Sequence, residues 1–408
     1  MTSSARTKIC AWLLLSLLFF YVDFKSIITT TPNNINATST VVDYEYEQFT
    51  LCNKKLYTKK MPSLSTQYDK QYGVHHWKRD MKNSIVLEPN GAFYGETGNQ
   101  FAEFLRAIEM ARDQGGALVI HEKGFPYDMT LRLLYLGLNR TEVENRLGVM
   151  FYDRVEEKYR SALKTISMKD AYYYISKHSD FNMVDTIDHR HYAIQELYRM
   201  TAKEMELHPN SAEVSAMCSS MHAFFGKDGR GNNEQDLQKN GITKKITQKY
   251  TVVHSRMMNS IGEMLFEGAH QKFGVDRRAG IDLPPDLISS ILSPLGMNNS
   301  SIVMITDGRS LDPIKRLSSD PTTAPYFQVV PQGISTKASD IMFAILADVF
   351  IGSPVSTFSH YIAHTRYALG IGNSYLFYRR NATTEKFETF CHDEECLQHW
   401  INMMVSLF

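Results

Sequence analysis

The sequence predicts an α/β protein of two domains, each a mostly parallel sheet covered by helices, preceded by a membrane anchor and a stalk. Short apolar runs alternate with helical patterns from residue 84 onward, and a polar, glycine-rich stretch interrupts that alternation near residue 240. A hydrophobic run lies close to the N-terminus. The 408 residues are 43% hydrophobic, which is enough to build two cores. Their formal net charge is zero, so the chain lacks the excess of positive charge that bulk nucleic-acid binding requires.

The N-terminal apolar run indicates entry into the secretory pathway. Residues 9–22 are apolar with one exception and follow two basic residues. The run is short for a membrane span, so a cleaved signal peptide is the alternative, but no small-x-small cleavage site follows it. We therefore expect an uncleaved anchor over residues 9–28, a cytosolic tail over 1–8, and a stalk over 29–83 whose first part is rich in Thr, Asn, Ser and Pro.

The rest of the chain then lies in the lumen of the Golgi or the endoplasmic reticulum, as a single-pass type II protein. Glycosylation sequons and an even number of cysteines outside the apolar run agree with this placement. The cysteines can form two disulfides whose pairing is open, and Cys391 and Cys396 favour a local disulfide over a zinc site. The sequons begin at Asn36, Asn139, Asn298, Asn299 and Asn381, and the other two cysteines are Cys52 and Cys218.

The first domain, residues 84–240, opens with a β-α-β unit. Residues 85–87 and 117–120 are apolar strands, and residues 99–114 between them repeat apolar side chains at helical spacing. The stretch 226–241 is polar, rich in glycine and without apolar periodicity, so it is the predicted linker. Further helices are predicted at 129–145, 151–165, 187–206 and 211–225.

The second domain, residues 241–408, repeats the alternation of strands and helices. This alternation is typical of a parallel sheet with covering helices. Strands are predicted at 250–254, 302–306, 327–330 and 349–351, and helices at 260–273, 286–292, 336–347 and 356–369.

A segment rich in hydroxyl side chains follows the strand at 349–351. Ser356 or Thr357 is placed to cap the helix that begins there, and Ser359 lies in its first turn. Free backbone N–H groups and the positive end of the helix dipole bind phosphate, and nearby hydroxyls add donors. The segment therefore indicates a diphosphate site, with ordinary helix capping as the alternative.

A second motif lies at the carboxyl end of the strand at 250–254. His254 and Arg256 alternate onto the same side of the chain, where a guanidinium can bind a phosphate oxygen through two donors and the imidazole can orient the ligand. A structural salt bridge for Arg256 and a buried structural role for His254 are the alternatives.

A third motif is the glycine-bracketed loop at residues 95–100, which leads into a helix. It is neither a G-x-G-x-x-G nor a Walker pattern, and alone it is a weak signal.

In this order the three motifs resemble the fucosyltransferase superfamily, which includes the protein O-fucosyltransferases and the α1,2- and α1,6-fucosyltransferases. The resemblance covers about residues 84–380. It implies a GT-B-like fold, in which two Rossmann-like domains face a cleft. The matching segments are Gly98-Asn99-Gln100, His254-Ser255-Arg256, and Ser356-Thr357-Phe358-Ser359 after the strand that ends at Gly352.

The resemblance implies that Arg256 contacts the diphosphate of GDP-fucose and assists its departure, with His254 beside it. It also implies inverting transfer of fucose from this nucleotide sugar to a hydroxyl of a glycan or glycoprotein, without a cofactor or a metal ion. For Asp307 and Asp340 a turn or helix-cap role is the alternative. The binding residues it implies are Gly98, Asn99, Gln100, Asp307, Asp340, Ser356, Thr357, Phe358 and Ser359.

Two departures from the superfamily pattern leave the acceptor and the catalytic base open. Asn259 stands where many relatives have a carboxylate three residues after the motif arginine, and Glu96 stands where protein O-fucosyltransferases have an arginine. Glu96 and Glu263 are the carboxylates nearest to the motifs in sequence. The alternatives are a transferase that uses another nucleotide sugar and a non-catalytic, carbohydrate-binding lumenal relative of the same fold.

Overall fold

The structure is a computed structural model whose described residues all belong to one compact unit, Glu45–Phe408. The predicted cytosolic tail and anchor lie outside the described residues. Within the described part of the chain, none of the helices has the length and apolar character needed to cross a membrane. The described residues are 46–59, 81–87, 104–105, 107–108, 110–111, 114, 116–120, 140–147, 149–166, 183–227, 232–244, 246–255, 260–276, 282–306, 310–331, 333–334 and 336–389.

Residues 46–59, predicted as part of the stalk, instead form a β-hairpin. Strand β1 (Tyr46–Leu51) pairs antiparallel with β2 (Lys54–Lys59). The turn residues Cys52 and Asn53 have φ of 45° and 66°, the left-handed conformation that a type I′ turn requires. Alternate side chains of the hairpin are buried in the main core, which fixes this segment to the protein: Phe49, Leu51 and Leu56.

The first sheet has four strands, β3 (Ile85–Leu87), β4 (Leu118–Ile120), β5 (Val149–Phe151) and β6 (Lys164–Ile166). They are all parallel and lie in the order β5-β4-β3-β6. The strands predicted at 85–87 and 117–120 are confirmed as β3 and β4.

Residues 151–165, predicted as a helix, instead hold the end of β5, short helical turns and the start of β6. Val149 and Phe151 are buried on either side of a half-buried residue, which is the alternation of a strand.

Two of the four helices predicted in this half are confirmed, and residues 140–145, the described part of the helix predicted at 129–145, are helical. The helix predicted at 187–206 is confirmed as one long helix, and the one at 211–225 is divided in two at Cys218. The described residues within 99–114 are helical up to residue 111. The helices are α1 (Arg140–Leu147), α2 (Glu157–Arg160), α3 (Met183–Leu207), α4 (Ala212–Met217), α5 (Ser219–Phe225) and α6 (Glu234–Lys239).

The predicted linker, residues 226–241, contains helix α6. The side chain of Asn233 caps this helix by accepting a 2.8 Å hydrogen bond from the backbone N–H of Asp236. Leu237 is 3% exposed and packs in the main core, so one apolar residue holds the segment in place. The domain boundary at residue 240 stays a prediction.

The second sheet has five strands: β7 (Tyr250–Ser255), β8 (Ser301–Thr306), β9 (Phe327–Val329), β10 (Val349–Ile351) and β11 (Ser374–Tyr375). They are parallel and lie in the order β11-β10-β7-β8-β9. The predicted strands of this sheet are confirmed to within one residue at each end. An antiparallel ribbon of β12 (Tyr378–Arg380) and β13 (Phe387–Thr389) follows it. The helices are α7 (Ser260–Phe273), α8 (Pro285–Leu292), α9 (Asp312–Ser319), α10 (Lys337–Ile345) and α11 (Thr357–Ala368).

Helix α3 packs against elements of both halves, namely α1, β1 and α11. Gln195 of α3 donates a 2.5 Å hydrogen bond from Nε2 to the carbonyl oxygen of Ala368 at the end of α11. Glu196 of the same helix pairs with Arg146 of α1 at 2.5 Å. One apolar core cluster accordingly contains residues of both sheets. The mixed α/β fold with parallel sheets is confirmed, whereas two domains that face a cleft stay a prediction.

Candidate functional site

The strand order of the second sheet defines where a ligand is expected. The chain places β8 and β9 on one side of the central strand β7, then crosses over and places β10 and β11 on the other side. In doubly wound sheets, ligands lie beyond the carboxyl ends of the strands at the point where this order reverses. Here that point lies between β7 and β10. Both sets of predicted site residues lie at these strand ends: His254 is the penultimate residue of β7, and the segment Ser356–Ser359 follows β10.

The loop between β10 and α11 is tightly built around a glycine. A Cβ on Gly352 would lie 2.7 Å from the Cβ and Oγ atoms of Ser359, closer than real Cβ atoms approach. Ser356 caps α11 by accepting a hydrogen bond from the backbone N–H of Ser359 at 3.4 Å, and its own N–H donates to the carbonyl oxygen of Ser353 at 3.2 Å. The Tyr378 hydroxyl donates to the carbonyl oxygen of Gly352 at 3.1 Å. These contacts hold the first turn of α11 against the end of β10.

His254 and Ser359 meet at this point. The Nδ1 atom of His254 lies 2.7 Å from the Oγ atom of Ser359, which also accepts a 2.9 Å hydrogen bond from the backbone N–H of Ser353. His254 is 5% exposed and Ser359 is 0% exposed. The ring of Phe358 lies 4.8 Å from the imidazole, measured between ring centroids. The structure thus joins two motifs that are 105 residues apart in the chain.

Two backbone donors remain at the start of α11. The N–H groups of Thr357 and Phe358 are among those that a helix leaves without an intrahelical acceptor. Within the described residues neither has an acceptor. Both side chains are half-buried, so this helix end is partly open to solvent. Donors of this kind at the positive end of a helix bind anions.

Ser353 is a residue of this loop that the sequence motifs did not single out. Its side chain is fully buried, and its hydroxyl has no hydrogen-bond partner among the described residues. A buried hydroxyl without a partner costs roughly 1–3 kcal/mol, so such a group in a loop beyond a strand end suits a ligand contact. The sequence offered one sign of this residue, since Ser353 comes directly after Gly352, the glycine that follows β10.

His360 stabilises the same loop from within α11. Its Nε2 atom donates a 2.8 Å hydrogen bond to the carbonyl oxygen of Pro354. Burial lowers the pKa of His360 to about 3, against a smaller opposing effect of the Pro354 hydrogen bond. The imidazole is therefore neutral near pH 7 and acts here as a structural donor.

Asp340 and Glu263 lie on other helices of this half. Asp340 is half-buried on α10 and accepts a 3.4 Å hydrogen bond from the hydroxyl of Ser220 on α5. The cap of α10 is formed by two other residues, Thr336 and Ser339, as a capping box. Glu263 is exposed in the first turn of α7. The structure therefore builds the central pair from β7 and α11, and it places Asp340 against α5.

The other predicted site residues lie outside the described residues. They comprise the glycine loop of the first half, the arginine of the His-x-Arg motif and the aspartate after β8: Gly98, Asn99, Gln100, Arg256 and Asp307. Glu96 and the Cys391–Cys396 segment lie there too. Among the residues that the structure does describe, no group of three or more His, Cys, Asp and Glu side chains is placed to hold a metal ion.

Comparisons with known proteins gave matches among solved structures. No protein family model matches the chain, and no curated protein sequence matches it. Crystal structures of POFUT1, a GDP-fucose protein O-fucosyltransferase, are similar to it. The complex of POFUT1 with GDP-fucose shows 14% identity and a TM-score of 0.37 over 73% of this chain and 99% of that chain.

Two further POFUT1 structures give similar values. The apo form matches with 15% identity and a TM-score of 0.35 over 73% of this chain and 98% of that chain. The complex with GDP matches with 13% identity and a TM-score of 0.36 over 72% of this chain and 99% of that chain. At these TM-scores the likeness does not establish a common fold, so the fold of this chain rests on its own strand order.

Proposed function

We propose that this chain is a fucosyltransferase of GT-B-like architecture that transfers fucose from GDP-fucose to a hydroxyl of a glycan or glycoprotein. The observation that carries the proposal is the 2.7 Å contact between His254 and Ser359. This contact joins two of the motifs that resemble the superfamily, at the edge of the sheet where doubly wound proteins bind nucleotides.

The start of α11 supplies the donors for the diphosphate of GDP-fucose. The backbone N–H groups of Thr357 and Phe358, together with the dipole of this 12-residue helix, favour an anion at that end. The buried Ser353 hydroxyl adds a neutral donor. Arg256 follows His254 by two residues in the chain, and we expect its guanidinium to bind the same diphosphate.

The proposed reaction is a displacement at the anomeric carbon of fucose. The acceptor hydroxyl oxygen forms the new bond as the bond to the diphosphate oxygen breaks, so the configuration inverts. Negative charge grows on the departing diphosphate, where Arg256 and the helix N-terminus stabilise it. The acceptor proton passes to a carboxylate base or to the departing diphosphate. The proposed reaction uses neither a metal ion nor an organic cofactor.

The proposed setting is the lumen of the Golgi or the endoplasmic reticulum, with the chain anchored as a type II membrane protein through residues 9–28. A disulfide between Cys52 and Cys218 supports an oxidising compartment, because structural disulfides persist there and are rare in the cytosol. Carbonate extraction and protease protection of microsomes test the anchor and its orientation.

Calorimetric titration of the full chain with GDP, GDP-fucose, UDP and ADP tests the donor. We expect guanine-selective binding, and we expect Arg256→Ala to weaken GDP binding by roughly 1.5–3 kcal/mol, as for loss of a hydrogen bond to a charged group. That loss corresponds to roughly 10- to 100-fold in affinity.

Arg379→Ala is the matched control. It removes an arginine that pairs with Glu388 at 2.7 Å on the exposed ribbon β12–β13, so its GDP affinity should equal that of the wild type. Selectivity for UDP or ADP would replace the proposed donor with another nucleotide sugar. Failure of every nucleotide to bind would overturn the transferase proposal and leave a carbohydrate-binding protein to be tested.

A further inference from the structure

We propose that Ser359 is a positioning residue that holds His254 in one tautomer, with the imidazole proton on Nε2, rather than a ligand of the diphosphate. The tautomer is inferred from the two hydrogen bonds of the Ser359 hydroxyl. Its consequence for fucosyl transfer rests on the proposed function.

The hydrogen bonds around the Ser359 hydroxyl determine which atom carries the proton. The backbone N–H of Ser353 can only donate, so the hydroxyl oxygen is the acceptor in their 2.9 Å hydrogen bond. The other contact of the hydroxyl is the Nδ1 atom of His254 at 2.7 Å. If the hydroxyl donates its own proton to Nδ1, both contacts are satisfied at once.

The opposite tautomer would leave a donor unsatisfied. With a proton on Nδ1, the Ser359 oxygen would accept twice, and its own O–H would need a further acceptor in a site where the residue is 0% exposed. Among the described residues that hydroxyl has no such acceptor. The cost of an unsatisfied buried donor is enough to select the Nε2–H tautomer by roughly five- to 100-fold.

The packing around the pair keeps the imidazole in this orientation. Gly352 allows Ser359 to lie against the end of β10, and the cap at Ser356 fixes the first turn of α11 that carries Ser359. The ring of Phe358 lies 4.8 Å from the imidazole at an interplanar angle of 43°. These contacts direct Nε2, across the ring from Nδ1, away from Ser359.

The fixed tautomer defines what His254 can do in the proposed reaction. A neutral imidazole with its proton on Nε2 donates a hydrogen bond to an oxygen atom, such as a diphosphate oxygen or a sugar hydroxyl. The same atom has no lone pair to take a proton, and Nδ1 is occupied by Ser359. His254 therefore orients the donor, and the base that receives the acceptor proton is another group.

The tautomer can be measured directly in the wild-type full chain, labelled with nitrogen-15 histidine. Long-range proton–nitrogen spectra distinguish a protonated from an unprotonated ring nitrogen, and His254→Gln assigns the signal. We expect a protonated Nε2 and an unprotonated Nδ1 at pH 7.5. A protonated Nδ1 would overturn the inference, and this measurement on the wild-type chain needs no nucleotide.

Variants then test the role of the serine. Ser359→Ala should convert His254 into a mixture of tautomers and weaken GDP binding by roughly three- to tenfold, as for loss of one neutral hydrogen bond. Ser359→Thr keeps the hydroxyl and should restore the Nε2–H tautomer. Ser84→Ala is the matched control, because Ser84 is a fully buried serine of the first half that likewise accepts a backbone N–H, from Ala117 at 3.0 Å.

The outcomes separate this inference from the proposed function. If GDP fails to bind while the wild-type tautomer is as expected, the proposed function fails and the positioning of His254 stands. If Ser359→Ala weakens GDP binding and leaves the tautomer unchanged, Ser359 is a direct ligand and the inference is overturned.

Discussion

The hydroxyl oxygens of Tyr198 and Tyr361 lie 2.8 Å apart in the buried contact between α3 and α11. Tyr361 is two residues beyond Ser359, and Tyr198 belongs to the helix that also packs on α1 and β1. Burial, with the neighbouring Tyr361 hydroxyl as the next cause, raises the pKa of Tyr198 well above its ordinary value. This neutral pair therefore ties the helix that begins at the site to the helix shared by both halves.

Replacing either tyrosine of this pair with phenylalanine should destabilise the protein. Each single variant deprives the remaining hydroxyl of this partner in a buried contact, at a cost of roughly 1–3 kcal/mol. The double variant should cost less than the sum, with a coupling energy of about 0.5–3 kcal/mol in urea unfolding. Tyr326→Phe is the control, since that hydroxyl bonds the exposed Asn299 and should change stability by less than about 0.5 kcal/mol. Additive single-variant costs would show that the pair is not coupled.

Acid should destabilise the protein through His360. Its pKa is lowered from 6.5 to about 3 in the folded chain, so below pH 6.5 the unfolded chain binds a proton that the folded chain refuses. Stability is therefore lost as the pH falls from 6.5 toward 3, by up to about 1.4 kcal/mol per pH unit. His360→Gln has no charge to gain and can still donate to the Pro354 carbonyl, so its unfolding free energy should fall less steeply between pH 7 and pH 4.

The matched control for this pH effect is His208→Gln. His208 follows the end of α3 with its side chain 66% exposed, so this variant shows what the same replacement does at a surface histidine. If the unfolding free energies of the wild type and His360→Gln fall in parallel with pH, another group causes the loss of stability in acid.

The second sheet was predictable from the sequence because its strands are buried on both faces. Tyr250–Ser255 is buried at every position, and a short run of this kind, rich in β-branched and aromatic residues, favours a strand over a helix. The cap at Ser356 was predictable for a local reason, since a serine before an apolar stripe satisfies the first turn of a helix.

The hairpin, the short strands of the first sheet and the His254–Ser359 contact depend on long-range packing. Strand β6 is three residues long with one buried side chain, which is too short for a periodic signal. The contact between His254 and Ser359 forms across 105 residues and requires a glycine at position 352. No local pattern in the sequence contains that information.

Gly352→Ala should displace Ser359 and weaken nucleotide binding. The added Cβ would lie 2.7 Å from both Ser359 Oγ and Leu376 Cδ2, so the first turn of α11 must shift. We expect GDP affinity to fall at least as much as in Ser359→Ala, measured by the same titration. Gly241→Ala is the control. Position 241 has a φ of +73°, which strains an alanine, but the added Cβ would meet only Pro331, at 3.9 Å. This variant should therefore lower stability and leave GDP affinity unchanged. Unchanged GDP affinity in Gly352→Ala would show that nucleotide binding does not depend on the position of Ser359.

The tip of the hairpin is held at three successive residues. Cys52 is bonded to Cys218, and the side chain of Asn53 donates to the carbonyl oxygen of Lys227. Lys54 donates to the carbonyl oxygen of Leu346 and lies 4.0 Å from the carboxylate of Asp348, at the amino end of β10. Burial lowers the pKa of Lys54, and the Asp348 carboxylate opposes that shift. The tip therefore joins the N-terminal segment to the helices before and after the linker and to the second sheet.

Loss of the disulfide should destabilise the protein as a whole, because it closes a loop with a sequence separation of 166 residues. We expect the double variant Cys52→Ser/Cys218→Ser to lower the free energy of unfolding by roughly 2–4 kcal/mol in urea, chiefly by freeing the unfolded chain. Both cysteines are replaced so that neither partner of this disulfide is left with a free thiol. Dithiothreitol should lower the stability of the wild type by more than that of the variant, because only the wild type carries the Cys52–Cys218 disulfide. Equal stability of the wild type and the variant would mean that the Asn53 and Lys54 contacts hold the hairpin without the disulfide.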